Sequence, residues 1–196
     1  MSPLPFHDLI DHSVEAITTL RGLEQEVTKA SSLMVQALAG GGKILCCGNG
    51  GSAAESGHLV TELLCRLDKD RRALPALNLS GDASFLTATA NDYNFDEVFA
   101  RQVTGLGHEG DVLVVFTTSG NSPNVLRALA AAREKGIHSI AFLGRDGGKA
   151  AALAEVPLVV PVPSTMNIQE AHQVLLHILC VQIEAVLFPG LNGTAI

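Results

Sequence analysis

The sequence is poor in aromatic residues and in positive charge. It has no tryptophan and one tyrosine, and aromatic residues make up 4% of a chain that is 47% hydrophobic, so its core must be aliphatic. Thirteen Lys and Arg residues against 20 Asp and Glu give a net charge of −7. This balance argues against a nucleic-acid or membrane partner. An anionic substrate must therefore be held by local features rather than by the overall field.

Cysteines and long apolar runs are scarce as well. Cys46 and Cys47 are neighbours in an apparent strand and point to opposite faces, and with Cys65 and Cys180 they show no zinc-finger or redox spacing. We interpret all four as reduced, buried thiols of a cytoplasmic protein. No apolar run approaches the roughly 18 residues of a membrane span, and acidic residues within the first apolar stretch argue against a signal peptide.

What the sequence does contain is a regular alternation of strand and helix patterns. Continuous apolar, β-branched runs are typical of strands covered on both faces, and helices between them favour a parallel sheet. We predict one α/β domain over 1–196, with a doubly wound five-stranded parallel sheet and extra N- and C-terminal helices. Residues 43–188 form the sheet and its helices, and the amphipathic segment 1–40 packs at an oligomer interface. The predicted strands are 44–47, 76–79, 112–116, 139–143 and 157–160, and the predicted helices are 6–38 (as one helix or two), 53–67, 83–90, 95–104, 124–135, 149–153 and a long one ending at Leu187.

The segment 43–62, KILCCGNGGSAAESGHLVTE, joins a buried strand to a helix through a glycine-rich turn. The first N–H groups of a helix lack internal partners and lie at the positive end of its dipole, and glycines let a phosphate approach them. His58 and Glu62 share one face of this helix, where they could serve acid–base or metal chemistry. The turn is neither a Walker loop nor the G-x-G-x-x-G of dinucleotide folds, so we expect no nucleotide cofactor. This layout is typical of a sugar-phosphate enzyme.

A second polar loop follows the strand 112–116 and precedes a helix. Ser122 is a good N-cap and Pro123 a good first helical residue. Capping does not explain Thr117, Thr118 and Ser119, whose hydroxyls crowd the carboxyl end of a strand. Open parallel sheets bind ligands at that edge, so we predict that this loop binds phosphate.

Two polar segments elsewhere leave alternatives open. Asn91 and Asp92 are either a capped turn or a contact to sugar hydroxyls. Gln169, His172 and His177 lie on the C-terminal helix, and nitrogen ligands with a carboxylate are ordinary zinc chemistry, although a glutamine ligand is uncommon. Gln169 and His177 are separated by about 12 Å along a helix. Both bind one ion within a chain only if the helix begins after Gln169 or its side chain reaches far back; otherwise subunits share the site.

Motifs along nearly the whole chain resemble those of the phosphoheptose isomerase family, in the sugar isomerase (SIS) domain superfamily. They run in the same order from Ile44 to Glu184: GNGGSAAESGHLVTEL, LPALNLSGDASFLTATANDY, DEVFARQV, GHEGDVL, TTSGNSPNVLRAL, GRDGG and IQEAHQVLLHILC. The resemblance implies a SIS, flavodoxin-like fold and a homotetramer with active sites at subunit interfaces. It also implies one zinc ion per subunit and conversion of sedoheptulose 7-phosphate to D-glycero-D-manno-heptose 7-phosphate in bacterial heptose biosynthesis.

The same resemblance implies residue roles. Glu62 and His177 match the catalytic base and acid, and the zinc-binding positions match these two residues together with His58 and Gln169. Glu62 and His177 cannot act freely while both are fully engaged on the metal, so either ligands exchange or another group moves the proton. The substrate-binding positions match Asn49, Gly50, Gly51, Ser52, Glu62, Asn91, Asp92, Thr117, Thr118, Ser119, Ser122 and Gln169.

Two other functions fit parts of this pattern. Some SIS relatives are non-catalytic tetramers that bind the bacterial replication initiator, but their positions matching Glu62 and His177 are not acid and imidazole. Their second loop carries Arg where this chain has Ser119. Because the phosphate loops do not measure sugar length, an isomerase for another ketose phosphate, or a sugar-phosphate sensor, is the second alternative. The acid, the imidazole and the loop serine favour the heptose isomerase.

Overall fold

Five parallel strands form the centre of the molecule in the computed structural model, which describes residues 5–191. They are β1 (Ile44–Gly48), β2 (Ala76–Asn78), β3 (Val112–Thr117), β4 (His138–Gly144) and β5 (Val156–Val160). The strand order is β2-β1-β3-β4-β5, with Gly48 opposite Phe116 in the β1–β3 pair. This order reverses direction beside β1, which creates a topological switch point at the carboxyl edge between β1 and β3. The predicted fold class is confirmed, and each predicted strand is present to within one residue at either end.

The helices follow the predicted pattern, except that the predicted helix 53–67 ends at Leu64 and the segment 95–104 is divided. The segment 6–38 forms two helices, one of the two predicted alternatives, separated by a 3-10 turn, Leu20–Leu23, which contains the poor helix former Gly22. The segment 95–104 divides into a 3-10 turn, Phe95–Glu97, and a short helix, because the Asn94 side chain accepts a hydrogen bond from the N–H of Asp96 and starts the turn. The helices are α1 (Phe6–Thr19), α2 (Glu24–Ala39), α3 (Gly51–Leu64), α4 (Ala83–Asp92), α5 (Ala100–Leu106), α6 (Pro123–Glu134), α7 (Ala150–Leu153) and α8 (Thr165–Leu187), and a last 3-10 turn covers Pro189–Leu191.

Apolar layers cover both faces of the sheet. Helices α2, α3 and α8 pack on one face, and α5, α6 and α7 pack on the other. Cys46 and Cys47 point into opposite layers, as their alternation predicts. Cys65 is exposed just beyond the end of α3, so the prediction that all four thiols are buried is wrong for this residue. Burial, with the nearby Glu62 charge, raises the pKa of Cys180 to about 12, which keeps this thiol protonated as a small apolar group.

Helices α1 and α8 differ in how they use their apolar residues. By length and composition α8 could cross a membrane, although polar residues interrupt its apolar run. It packs as a core helix, however, with contacts to α1, α2 and α3. The described part of α1 buries only Ala16. It leaves an exposed apolar face that consists of Phe6, Leu9, Ile10, Val14 and Ile17.

Candidate active site at the carboxyl edge of the sheet

The first loop lies between β1 and α3 and presents the N-terminus of that helix at the sheet edge. Gly50 has φ +57°, a left-handed conformation that favours glycine. The hydroxyl of Ser80, which follows β2, donates to the carbonyl of Gly48 at 2.9 Å and accepts from its N–H at 3.1 Å. The start of the loop is therefore fixed. The N–H of Ser52 donates to the carbonyl of Asn49 at 3.0 Å, whereas the N–H groups of Gly50 and Gly51 have no hydrogen-bond partner among the described residues.

The second loop gathers hydroxyl groups after β3. The hydroxyl oxygen of Thr117 lies 3.5 Å from those of Ser119 and Ser122, and it accepts a hydrogen bond from the N–H of Gly120. Ser122 occupies the N-cap position of α6, but its hydroxyl makes no capping bond. Thr118 is half-buried in the same loop. Hydroxyls spaced this loosely, at a helix start, can donate to the oxygens of a phosphate.

A reciprocal amide pair joins the two loops. The side-chain N–H of Asn49 donates to Oδ1 of Asn124 at 2.9 Å, and that of Asn124 donates to Oδ1 of Asn49 at 2.8 Å. The side chain predicted to bind substrate at Asn49 is thus used to hold the first loop against the start of α6. Sequence analysis missed Asn124, since nothing in its neighbourhood indicates a partner that lies far away in the chain.

The loop after β4, which contains the GRDGG motif, packs against the second loop. The N–H of Lys149 donates to Oδ1 of Asn121, whose own amide donates to the carbonyl of Ser119 at 2.7 Å. A Cβ at Gly148 would lie 2.6 Å from the same Ser119 carbonyl. A close packing of backbone on backbone therefore sets the position of the hydroxyl loop.

Three potential metal ligands converge between α3 and α8. Nε2 of His58 lies 3.0 Å from Oε1 of Glu62 and 3.3 Å from Nε2 of His177. These three ligand atoms are all less than 4.8 Å from one another. Bond lengths of 2.0–2.1 Å in a tetrahedral zinc site separate ligand atoms by about 3.3 Å, so this set fits such an ion in both ligand type and spacing.

Gln169 lies at the other end of the site. Helix α8 begins at Thr165, so the alternative in which the helix starts after Gln169 is wrong. The Gln169 side chain instead packs on the first loop, where a Cβ at Gly51 would lie 2.3 Å from its Nε2. Within one chain, about two helical turns separate this amide from His177.

Asn91 and Asp92 form the exposed end of α4. The side-chain N–H of Asn91 donates to Oδ1 of Asp92 at 2.8 Å. Among residues 5–191, no hydrogen bond found in the structure joins either side chain to the two loops. The structure therefore leaves both side chains accessible to a ligand or to a neighbouring subunit.

Arg71 is a site-supporting residue that the sequence analysis missed. Its side chain, only 2% exposed, donates to Oε1 of Glu184 on α8 at 2.8 Å. It also donates to the carbonyls of Glu62 and Leu63, at 2.6 and 2.8 Å. A cation at the C-terminal end of a helix satisfies carbonyls that have no helical partners. Arg71 thereby fixes the turn of α3 that carries Glu62 against α8.

Comparisons with known proteins agree with this architecture. The SIS domain family model matches residues 7–144. A phosphoheptose isomerase from Citrifermentans bemidjiense is 50% identical, over 89% of this chain and 91% of its own length. The structure of phosphoheptose isomerase from Neisseria gonorrhoeae aligns with a TM-score of 0.86 and 45% identity, over 91% of this chain and 96% of that one. The enzyme from Francisella tularensis aligns with a TM-score of 0.87 and 36% identity, over 90% and 95%.

Proposed function

The chain belongs to the SIS domain family and, within it, to the phosphoheptose isomerases, and from this we propose a function for the carboxyl-edge site. It converts sedoheptulose 7-phosphate to D-glycero-D-manno-heptose 7-phosphate in heptose biosynthesis. One observation carries the proposal above all: His58, Glu62 and His177 converge between α8 and the helix that starts at the glycine-rich loop. The phosphate of a sugar and the carbon atoms that react can therefore occupy one continuous site.

The phosphate group of the substrate binds where the two loops meet. The backbone N–H groups of Gly50 and Gly51 and the hydroxyl of Ser52 supply donors at the positive end of the α3 dipole. The hydroxyl groups of the second loop donate from the opposite side. Support comes from the adjacent positions of β1 and β3 in the sheet, which bring both loops to the switch point. The hydroxyl residues of the second loop are Thr117, Thr118, Ser119 and Ser122.

Glu62 and His177 carry the proton transfers. Conversion of a 2-ketose to an aldose moves a proton from C1 to C2 and another from the C1 hydroxyl to the C2 oxygen, with no net oxidation. Glu62 takes the proton from C1 and returns it to C2, while the His177 imidazole moves the proton between the two oxygens. Oε1 of Glu62 faces His58, and the second oxygen of the Glu62 carboxylate is available as a base. Each positioned proton transfer contributes about 10²–10⁴-fold to the rate.

A zinc ion is the metal that these ligands suit best, with one ion per subunit. When bound, it supplies Lewis-acid stabilisation of the charge that develops on the sugar oxygens. Two imidazole nitrogens and one carboxylate oxygen, from His58, His177 and Glu62, would hold it. Gln169 completes the ligand set only if it comes from another subunit or moves away from Gly51.

A homotetramer with sites at its subunit interfaces completes the proposal. The exposed apolar face of α1 supports it, because a folded chain seldom leaves so many apolar side chains on one helix in water. Asn91 and Asp92 then contact the sugar in the assembled protein. The four free cysteines support a reducing, cytoplasmic location. Sedimentation at micromolar concentration tests the assembly: a monomer contradicts it, and Ile10→Glu should weaken it whereas Glu15→Gln should not.

The decisive test of function is turnover of sedoheptulose 7-phosphate with zinc present, followed by loss of the keto form. Glu62→Gln should reduce kcat by at least 10²-fold while the fold, measured by circular dichroism, is unchanged. Glu134→Gln, at an exposed position on α6, provides a carboxylate-to-amide control away from the metal cluster. Near-normal activity of Glu62→Gln refutes its assignment as the base. Absence of wild-type turnover, together with binding to a replication initiator, refutes the enzymatic function.

A further inference from the structure

A buried carboxylate–imidazole pair lies between the first loop and the metal-ligand cluster and has no role in the proposed reaction. Glu55 on α3 is 3% exposed and His172 on α8 is 0% exposed. Within the described residues, neither carboxylate oxygen of Glu55 nor Nδ1 of His172 has a hydrogen-bond partner. A buried polar group without a full set of partners destabilises the fold, so its presence in a packed interior requires an explanation.

The surroundings of His172 fix where its hydrogen lies. Nε2 is 3.1 Å from the carbonyl oxygen of Leu143, and since a carbonyl can only accept, we assign a hydrogen to this nitrogen. The other nitrogen, Nδ1, lies 3.7 Å from Oε2 of Glu55. This separation is longer than a hydrogen bond, so the two buried side chains face each other without one.

The pair occupies the middle of a regular series of contacts between two helices. Helices α3 and α8 run in the same direction, and contacts between them recur with a nearly constant offset in residue number. The first contact lies at the phosphate loop, and the third is part of the metal-ligand cluster. In order, the contacts join Gly51 to Gln169, Glu55 to His172, and His58 to His177.

We propose that Glu55 and His172 are positioning residues that fix the register of α3 against α8. The inference rests on the proposed function and extends it, because the register sets the distance between the phosphate site and the acid–base cluster. The bond from His172 to Leu143 adds the end of β4 to the same unit. A sugar phosphate is bound at one end and reacts at the other, so a shift of about 1 Å between the helices would separate binding from chemistry.

A double replacement separates this role from simple stabilisation. Glu55→Leu with His172→Phe replaces the pair by apolar side chains of similar size, and the new ring can pack against Phe116 and Phe142 as the imidazole does. Apolar replacement of a buried ionic pair is often neutral for stability. We expect the urea midpoint of the double variant to match that of the wild type, while zinc affinity and kcat each fall at least tenfold.

Conservative and remote variants provide the controls. Glu55→Gln keeps a donor toward Nδ1 of a neutral ring and should retain zinc affinity and kcat within about threefold. The exposed Glu155–His138 pair, 2.6 Å apart at the opposite edge of the sheet, is a matched control, and Glu155→Gln should change none of the measured values. If the double variant fails to fold, Glu55→Leu alone, which keeps the ring and its bond to Leu143, should show the same loss of zinc affinity.

The measurements can overturn the proposal in two ways. A stable double variant with wild-type zinc affinity and kcat would mean that the pair only fills the core. An equal loss of zinc affinity in Glu55→Gln and in the double variant would mean that a polar contact between the two side chains does not maintain the register. Zinc affinity is measured by competition with a chelator and needs no turnover. If the wild-type protein fails to isomerise sedoheptulose 7-phosphate, this measurement still decides the positioning role.

Discussion

The two edges of the parallel sheet use polar groups in opposite ways. At the amino edge, Asp111 accepts hydrogen bonds from the Lys43 ammonium at 2.7 Å, from the Lys43 N–H at 2.9 Å and from the His108 N–H at 2.8 Å. At the carboxyl edge, the Thr117 hydroxyl lies 3.5 Å from those of Ser119 and Ser122, at the limit of a hydrogen bond. Groups that satisfy one another stabilise the fold, whereas groups left loosely paired are available to a ligand.

The shape of the amino edge reinforces this difference. A groove of about 400 Å³ lies there, and its lining includes Lys43, His108, Asp111 and His138. None of the residues predicted to bind substrate or metal lines it. This groove and the candidate active site are therefore separate surfaces of the described structure. Substitutions at the two edges should separate activity from stability.

The largest effect is expected for His177→Ala in the metal-ligand cluster between α3 and α8. Loss of one of two imidazole ligands should lower zinc affinity, and loss of the proposed acid should lower kcat by about 10²–10⁴-fold. Chelator competition and turnover of sedoheptulose 7-phosphate measure the two quantities. His138→Ala, at the amino edge, is the matched control and should leave both unchanged. A His177→Ala protein that retains zinc and kcat would contradict the assignment of the cluster.

An intermediate effect is expected for Ser119→Ala in the hydroxyl loop. A hydrogen bond to a charged group contributes about 1.5–3 kcal/mol, so its loss should raise KM roughly tenfold or more. The value of kcat should change little, because the phosphate is remote from the carbon atoms that react. Steady-state kinetics measure both values, with Ser84→Ala on the exposed surface of α4 as control. A fall in kcat at constant KM would place Ser119 in the chemical step instead.

The smallest effect on activity, with a clear effect on stability, is expected for Asp111→Asn. Burial by itself would raise the Asp111 pKa, but the hydrogen bond from the Lys43 side chain and those from two backbone N–H groups outweigh it and lower the pKa. A carboxyl whose pKa is lowered on folding stabilises the protein above its unfolded pKa of about 3.9, and this contribution is lost as the pH falls through the lower folded value.

The measurement for Asp111→Asn is urea unfolding across the acid range. We expect a loss of about 1–3 kcal/mol near neutral pH that shrinks as the pH falls below about 4, with kcat and KM unchanged. Lys43→Met should lose stability in the same pH range. A change in KM for either variant would show that the two edges are coupled, which would weaken the contrast between them.

Local sequence was a good guide wherever one segment contains its own physical reason. The strand Ile44–Gly48 is a continuous apolar run, and Gly50 has a conformation that favours glycine, so the β1–α3 loop was predictable. Packing explains the glycine at position 57, inside α3, since a Cβ there would lie 3.0 Å from Nδ2 of Asn78. That reason lies in another strand and was not readable from the helix.

Contacts between distant segments were not predictable from these patterns. The pairing of Asn49 with Asn124 links the two loops through a residue that is also predicted to bind substrate. Arg71 lies in a polar stretch where no periodicity marks it, yet it closes the end of α3. Glu55 is part of an ordinary helical segment, and only its burial against α8 distinguishes it from a surface carboxylate.

The sequence by itself determined the α/β fold, the two loops predicted to bind phosphate and the candidate acid, base and ligand residues, because alternation, glycine placement and residue chemistry are local properties. The tertiary structure alone decided which of these residues meet. It brought His177 to His58, placed Gln169 at Gly51 and left Asn91 exposed. The physical reason is that the packing of α8 on α3 depends on the whole aliphatic core, and no single segment contains that information.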